Sequence, residues 1–324
     1  MLRIIYMGTP HFAVPALEAL IAGAAPGALL PDGYEIVTVI TRPDKPAGRG
    51  REVVFSPIKQ AAIKHNIPVW QPGSLKKAEN SEALAMYHAD LYIVAAFGQI
   101  LPQRVLDQPR YGTLNIHASL LPRYRGADPI AETILQGDKE AGVSIMLLDA
   151  GIDTGPVLLR RSLPLAEDET TGSLTVKLAD LGAQALLAAL PPWIAGEIVP
   201  EAQDEQKASH TRMLKKEDGE IHWGLPASVL ARQVRAYTPW PGSFTHWRGK
   251  LLKILAAQAR SVELEQDIPV GTVSIREEAG HQVLAVVTGS GLLLVKQLQL
   301  EGKKAMSAEE FLRGYGQIVG QVLA

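Results

Sequence analysis

The sequence predicts an α/β fold: a doubly wound, mostly parallel sheet covered by helices, followed by a small β-barrel domain. Three observations predict it. Through the first half, short apolar runs alternate with stretches of helical period, the pattern of strands joined by crossover helices. Between residues 196 and 211 the texture changes to a charged stretch with Glu197, Glu201, Asp204, Glu205 and Lys207 and few large apolar side chains, which suits an exposed linker. Beyond it come short β-rich runs punctuated by glycine turns such as Gly289-Ser290-Gly291, the spacing of a small barrel. The expected division is a domain over 1–195, a linker over 196–211 and a barrel over 212–324.

Taken in order, residues 4–7 read as the first strand and 12–22 as the helix after it, and 36–40 with 57–64 repeats the pair. Residues 91–94, 114–117 and 144–148 supply further strands, and a Leu- and Ala-rich helical pattern from 171 to about 190 closes the domain against its sheet. Gly8-Thr9-Pro10 stands where a dinucleotide fold carries Gly-x-Gly-x-x-Gly, but Pro10 and Ala13 occupy the places of the later glycines. The segment therefore reads as a tight strand-to-helix turn. After the linker, 243–247, 251–256, 271–275, 283–287 and 292–298 read as barrel strands.

Composition narrows the function. A chain of 324 residues with 47% hydrophobic and 20% charged side chains has material for one large or two ordinary globular domains. The net charge of -2 excludes a polycation, yet the charge is unevenly placed: residues 1–206 hold 17 basic against 23 acidic side chains, and 207–324 hold 15 against 11. The smaller domain is thus the basic one, with net +4 against -6. The absence of cysteine excludes disulfides, thiolate nucleophiles and Cys-containing zinc sites, and fits a reducing compartment. Walker, His-Glu-x-x-His and Gly-x-Ser-x-Gly patterns are missing. No apolar stretch in the sequence reads as a membrane span and residues 2–7 are too short for a signal core, so the expectation is a soluble, cytoplasmic protein without membrane contact.

The chemistry concentrates in Leu114-Asn115-Ile116-His117-Ala118-Ser119-Leu120-Leu121-Pro122. Period-two alternation puts Asn115 and His117 on one face of the strand, at the carboxyl end where open α/β sheets bind ligands. A carboxamide donor beside an imidazole suits acyl transfer: one steadies a developing oxyanion, the other moves a proton near neutral pH. In the stretch Asp149-Ala150-Gly151-Ile152-Asp153-Thr154-Gly155-Pro156, Asp153 is placed to orient and charge-balance His117. The bland alternatives are satisfied polar groups at a strand end and ordinary Asp-x-Gly turn chemistry.

Together, Asn115-x-His117-x-Ser119-Leu120-Leu121-Pro122, Arg123-Tyr124-Arg125-Gly126 and Asp153-Thr154-Gly155 resemble the signature of the folate-dependent formyltransferases. The resemblance continues through Gly8-Thr9-Pro10, Arg42-Pro43-Asp44-Lys45-Pro46-Ala47-Gly48-Arg49-Gly50, Pro239-Trp240-Pro241 and Gly302-Lys303-Lys304-Ala305-Met306, from residue 3 to about 312. It implies a Rossmann-like formyltransferase domain followed by an OB-like barrel that binds tRNA. It implies 10-formyltetrahydrofolate as formyl donor, the α-amino group of methionine on charged initiator tRNA as acceptor, no metal, and a monomer. Asn115, His117 and Asp153 match the catalytic trio; Ser119, Leu120, Leu121 and Pro122, with Phe97, Ile100 and Leu101, match the folate site. Arg42, Lys45, Arg49 and Arg51 in one loop, and Lys303 and Lys304, are the implied tRNA contacts. His11 and Asp128 depart from the family pattern, and 24–32 resembles a surface-loop insertion. The rivals are a relative formylating an amino-sugar nucleotide, against which the four cations of the Arg42 loop weigh as a handle for phosphates, and an RNA-binding module without catalysis.

Overall fold

The computed structural model describes residues 1–47, 52–263, 267–278 and 280–324; Arg49 and Arg51 of the basic loop lie outside the described residues. The chain divides into two compact units. The first comprises Met1–Pro129, Glu140–Pro164 and Thr175–Thr211, and the second Ile130–Lys139, Leu165–Leu174 and Arg212–Ala324.

In chain order, β1 (Leu2–Gly8) is followed by α1 (Val14–Ala22), β2 (Tyr34–Ile40), a hairpin of β3 (Lys45–Ala47) and β4 (Glu52–Val54), α2 (Pro57–Lys64), β5 (Val69–Trp70) and α3 (Ala78–Ala85). Then come β6 (Leu91–Ala95), α4 (Gln103–Leu106), β7 (Thr113–His117), β8 (Arg125–Gly126), α5 (Pro129–Gln136), β9 (Glu140–Leu147), β10 (Val157–Pro164), α6 (Thr171–Ile194) and β11 (His210–Thr211). The main sheet has the order β10-β9-β7-β6-β1-β2-β5. Its strands β1, β2, β5, β6 and β7 are parallel, β9 runs antiparallel to β7, and β10 antiparallel to β9. The chain winds outward from β1 through β2 to β5, then returns to the other side of β1 with β6 and β7. Between β1 and β6 the order reverses, and ligands of such sheets bind beside that switch, at the carboxyl ends of the strands. The loops after β1, β6 and β7 therefore meet at the place expected for a site.

The strands β6 and β7 are buried throughout, as expected for parallel strands covered on both faces. Helix α6 covers one face closely at Gly182, where a Cβ would lie 2.7 Å from Cγ2 of Ile116. It runs for 24 residues and is long and apolar enough by length and composition to cross a membrane, which corrects the expectation that no stretch reaches that length. Its apolar side is used within the fold: Leu178, Ala179, Ala185, Leu186, Ala189 and Leu190 are buried.

Residues 196–211 are mostly exposed, but they are tied to the first unit. Glu201 and Val157 exchange backbone hydrogen bonds of 2.8 Å each way, and β11 pairs in parallel with β8 through His210 with Arg125 and Thr211 with Gly126. The stretch expected to be an exposed linker is also a strap laid along the first unit.

The second unit continues with α7 (Ala227–Ala236), β12 (Ser243–Trp247), β13 (Lys250–Arg260), β14 (Val273–Glu278), β15 (His281–Val287), β16 (Leu292–Leu300), β17 (Met306–Ser307) and α8 (Ala308–Tyr315). Its antiparallel sheet has the order β12-β13-β16-β15-β14, with β17 on β16. Among the described residues the end strands do not pair with each other. Residues 320–324 bridge them instead, bonding Val273 and Gly271 on one side and His246 on the other, which completes a barrel-like wall. Trp223, Leu230, Val234, Trp247, Ile254, Leu284, Val295, Leu298 and Phe311 form part of its core.

Candidate active site

Strand β7 presents Asn115 and His117 on one face. Register confirms the alternation: Asn115 stands opposite Met146 and His117 opposite Ser144, while Ile116 stands opposite Ile145 and points toward α6. Asn115 is 9% exposed, and among the described residues its carboxamide has no hydrogen-bond partner. Its polar atoms are not sealed from solvent, so the carboxamide is available to a ligand. One nitrogen of the His117 ring is hydrogen-bonded and the other faces a carboxylate. Nε2 lies 3.0 Å from the carbonyl oxygen of Tyr124, and Nδ1 lies 3.5 Å from Oδ2 of Asp153. A carbonyl only accepts, so Nε2 carries a proton and Nδ1 is the nitrogen facing the carboxylate.

The loop after β7 fixes this arrangement. Ser144 is fully buried; its hydroxyl donates to the Ser119 carbonyl at 2.7 Å and accepts from the Leu121 amide at 3.1 Å. The Ser119 hydroxyl is itself spent on the Arg123 carbonyl at 2.6 Å. Tyr124 adopts φ of 60°, a left-handed conformation uncommon for a side chain of its size. The Arg125 guanidinium is 1% exposed. It donates to both oxygens of Glu205 at 2.9 and 2.7 Å, and through Nε to Oε1 of Gln203 at 3.1 Å. The Glu205 hydrogen bond raises the Arg125 pKa, and the Arg125 hydrogen bond holds the Glu205 carboxyl below the ordinary range.

Asp153 also sits at a positive φ, 53°. Its Oδ2 accepts from the Gly126 amide at 2.8 Å. The Gln203 Nε2 donates to the carbonyls of Asp153 and Gly155 at 2.8 and 2.7 Å. The other end of the loop is closed by Thr154, whose hydroxyl donates to Asp149 at 2.7 Å.

The remaining sequence-proposed residues divide. Phe97, Leu101 and Leu121 are buried in apolar clusters, Ile100 is exposed, and Leu120 and Pro122 are half-buried. Arg42 is exposed and leans on the loop after β6, since a Cβ on Gly98 would lie 3.4 Å from its Cδ. Lys45 is exposed at the start of the β3–β4 hairpin. Beside it, a hydrogen bond from Lys59 holds the Asp44 carboxyl below its usual range. Lys303 and Lys304 are exposed in the turn between β16 and β17, in the second unit. Sequence reasoning missed Ser144, Gln203, Glu205 and Ser209. Ser209 accepts the Tyr124 amide through its hydroxyl at 2.9 Å and the Arg125 amide through its carbonyl at 2.8 Å. A polar strap without periodicity carries no sequence signal of such contacts.

Residues 2–190 match the formyl transferase family and residues 213–316 match the formyl transferase C-terminal domain. A methionyl-tRNA formyltransferase of Thiobacillus denitrificans is 47% identical over 313 residues, covering 97% of this chain and 96% of that protein. One from Dehalococcoides mccartyi is also 47% identical, at 97% and 96% coverage. A sugar 3N-formyl transferase solved in the presence of dTDP and 5-N-formyl-THF shares the fold with a TM-score of 0.64 at 18% identity, covering 94% of this chain and 99% of that one. With both family domains matched and relatives this similar along nearly its whole length, the chain belongs to the formyl transferase family, in the branch of the methionyl-tRNA formyltransferases.

Proposed function

We propose that this chain transfers a formyl group from 10-formyltetrahydrofolate to the α-amino group of methionine on charged initiator tRNA. One observation carries the chemistry: a carboxamide without a protein partner stands two residues along the same strand face from an imidazole that is bonded to the Tyr124 carbonyl and lies 3.5 Å from the Asp153 carboxylate. The acceptor follows from the high identity to methionyl-tRNA formyltransferases over nearly the full chain. Similarity to the sugar formyl transferase supports the fold alone.

In this reading the neutral amine attacks the formyl carbon. The new C–N bond forms while the carbonyl electron pair moves onto oxygen, and the Asn115 amide donates to that oxyanion. His117 accepts the ammonium proton at Nδ1, and the Asp153 carboxylate balances the imidazolium. The same proton passes to N10 of the folate as the C–N10 bond breaks and its electrons return to nitrogen, so the proton count closes. With Nε2 committed to Tyr124, the oxyanion falls to Asn115 and the proton to His117. Ile100, Leu120 and Pro122 offer exposed or half-exposed apolar surface to the folate, and Phe97, Leu101 and Leu121 are buried in apolar clusters. Arg42 and Lys45, with Arg49 and Arg51 of the same loop, and Lys303 and Lys304 in the second unit, serve the phosphates of tRNA.

Single-turnover formylation tests the site. Asn115→Ala should slow the chemical step by about a hundredfold or more, the usual cost of an oxyanion donor, while donor and tRNA affinities stay within about twofold. A parental rate in Asn115→Ala would remove Asn115 from the mechanism.

A further inference from the structure

The side chain of Gln203, on a strap that carries none of the catalytic trio, spends its carboxamide on the backbone around Asp153. Both Nε2 hydrogens are donated, to the Asp153 carbonyl at 2.8 Å and the Gly155 carbonyl at 2.7 Å. Oε1 accepts from Nε of Arg125 at 3.1 Å. We propose that Gln203 is a positioning residue for the reaction, holding the Asp153 carboxylate at its station beside Nδ1 of His117; this rests on Asp153 being the charge partner of His117.

Three features point the same way. Asp153 is held at φ of 53°, a backbone state that a residue with a Cβ keeps only where its surroundings over-determine it. The two carbonyls that Gln203 grips flank Thr154, so the grip fixes the peptide planes on the carboxyl side of Asp153 and at Gly155. At the other end, the Asp153 carboxylate is anchored by the amide of Gly126 at 2.8 Å, and Gly126 follows Arg125, whose guanidinium is held by Glu205 and by the same Gln203. Backbone and carboxylate of Asp153 thus refer to one strap. The strap is itself fixed to the sheet by the Glu201–Val157 backbone pair and by an ion pair of 2.7 Å from Arg160 to Glu201. A displacement of about 1 Å at a reacting group costs up to about a hundredfold in rate, and the Asp153–His117 separation is set by these bonds.

The experiment is steady-state formylation of charged initiator tRNA by full-length Gln203→Ala, Gln203→Glu, Asp153→Asn and the Gln203→Ala/Asp153→Asn pair. The Gln203→Glu change keeps the side-chain size and an acceptor for Arg125 but leaves no N–H for the two carbonyls, so it separates the grip on the Asp153 loop from the grip on Arg125. Expected is a fall in kcat of about tenfold or more in both Gln203 variants. KM for donor and tRNA should stay within about twofold, and Gln203→Ala should cost less than about twofold in the Asp153→Asn background. Parental kcat in Gln203→Glu overturns the proposal, as does a Gln203→Ala effect that multiplies in full onto Asp153→Asn. If Gln203→Ala fails to fold, the isosteric Gln203→Glu decides alone. Parental kcat in Asp153→Asn would instead remove the catalytic reading on which the proposal rests.

Discussion

At residue 155 the loop that carries Asp153 has no space for a side chain, because a Cβ there would collide with the carbonyl oxygen of Leu147. Gly155→Ala should therefore lower stability by about 2 kcal/mol or more and displace Asp153. The loss of formyl transfer should exceed what the fraction unfolded accounts for. Thermal unfolding with single-turnover kinetics on the same sample checks this; a parental melting temperature and rate would show that the loop does not need its glycine. That Asn115 and His117 share a strand face was readable in the sequence because strand alternation is local. The contacts of the Tyr124 carbonyl and the Gln203 amide were not. One depends on a left-handed φ, and the other on a hydrogen bond between residues 50 apart in the chain.

Among the elements, the strap and the turn after it explain what sequence patterning recovers. Strands β6 and β7 and helix α2 stand out as apolar runs or periodic faces. Helix α3 buries only Ser81 and Leu84, and β10 carries Arg160 and Arg161 along the sheet edge, so neither has the contrast that reveals an element. The strap also moves the boundary of the first unit: a fragment ending at 206 would lose Ser209 and its bonds to Tyr124 and Arg125. Just beyond it, Asp218 accepts two bonds from Arg212, at 2.7 and 2.6 Å, and one from the Lys215 amide at 2.7 Å, and its carboxyl is pushed down to about 2. Because the folded pKa lies below the unfolded value of about 4, the pair stabilises above that value and is lost as pH falls from about 4 toward about 2. Arg212 is largely exposed, so the contribution is about 1 kcal/mol or less. Asp218→Asn should be less stable than the parent at neutral pH, with the gap in urea midpoint narrowing below about pH 4. A gap that is the same at about pH 7 and about pH 3 would contradict this.

Across the whole molecule, charge is segregated between the two parts of the chain, net -6 over 1–206 and net +4 over 207–324. Such a basic domain is suited to phosphate contacts. Lys303→Ala/Lys304→Ala should weaken charged-tRNA binding and make its salt dependence shallower by about one unit of log-log slope for each phosphate that no longer meets a lysine, with donor binding unchanged. An unchanged slope would make the two lysines solvated turn residues. The central claim, formyl transfer to methionyl initiator tRNA, is tested most directly by one comparison: the rate of formyl transfer from 10-formyltetrahydrofolate to charged initiator tRNA, charged elongator tRNA and an amino-sugar nucleotide, measured side by side with the full chain. Efficient transfer to the initiator tRNA, with the other two acceptors far slower, is the predicted result; transfer confined to the amino sugar would contradict it.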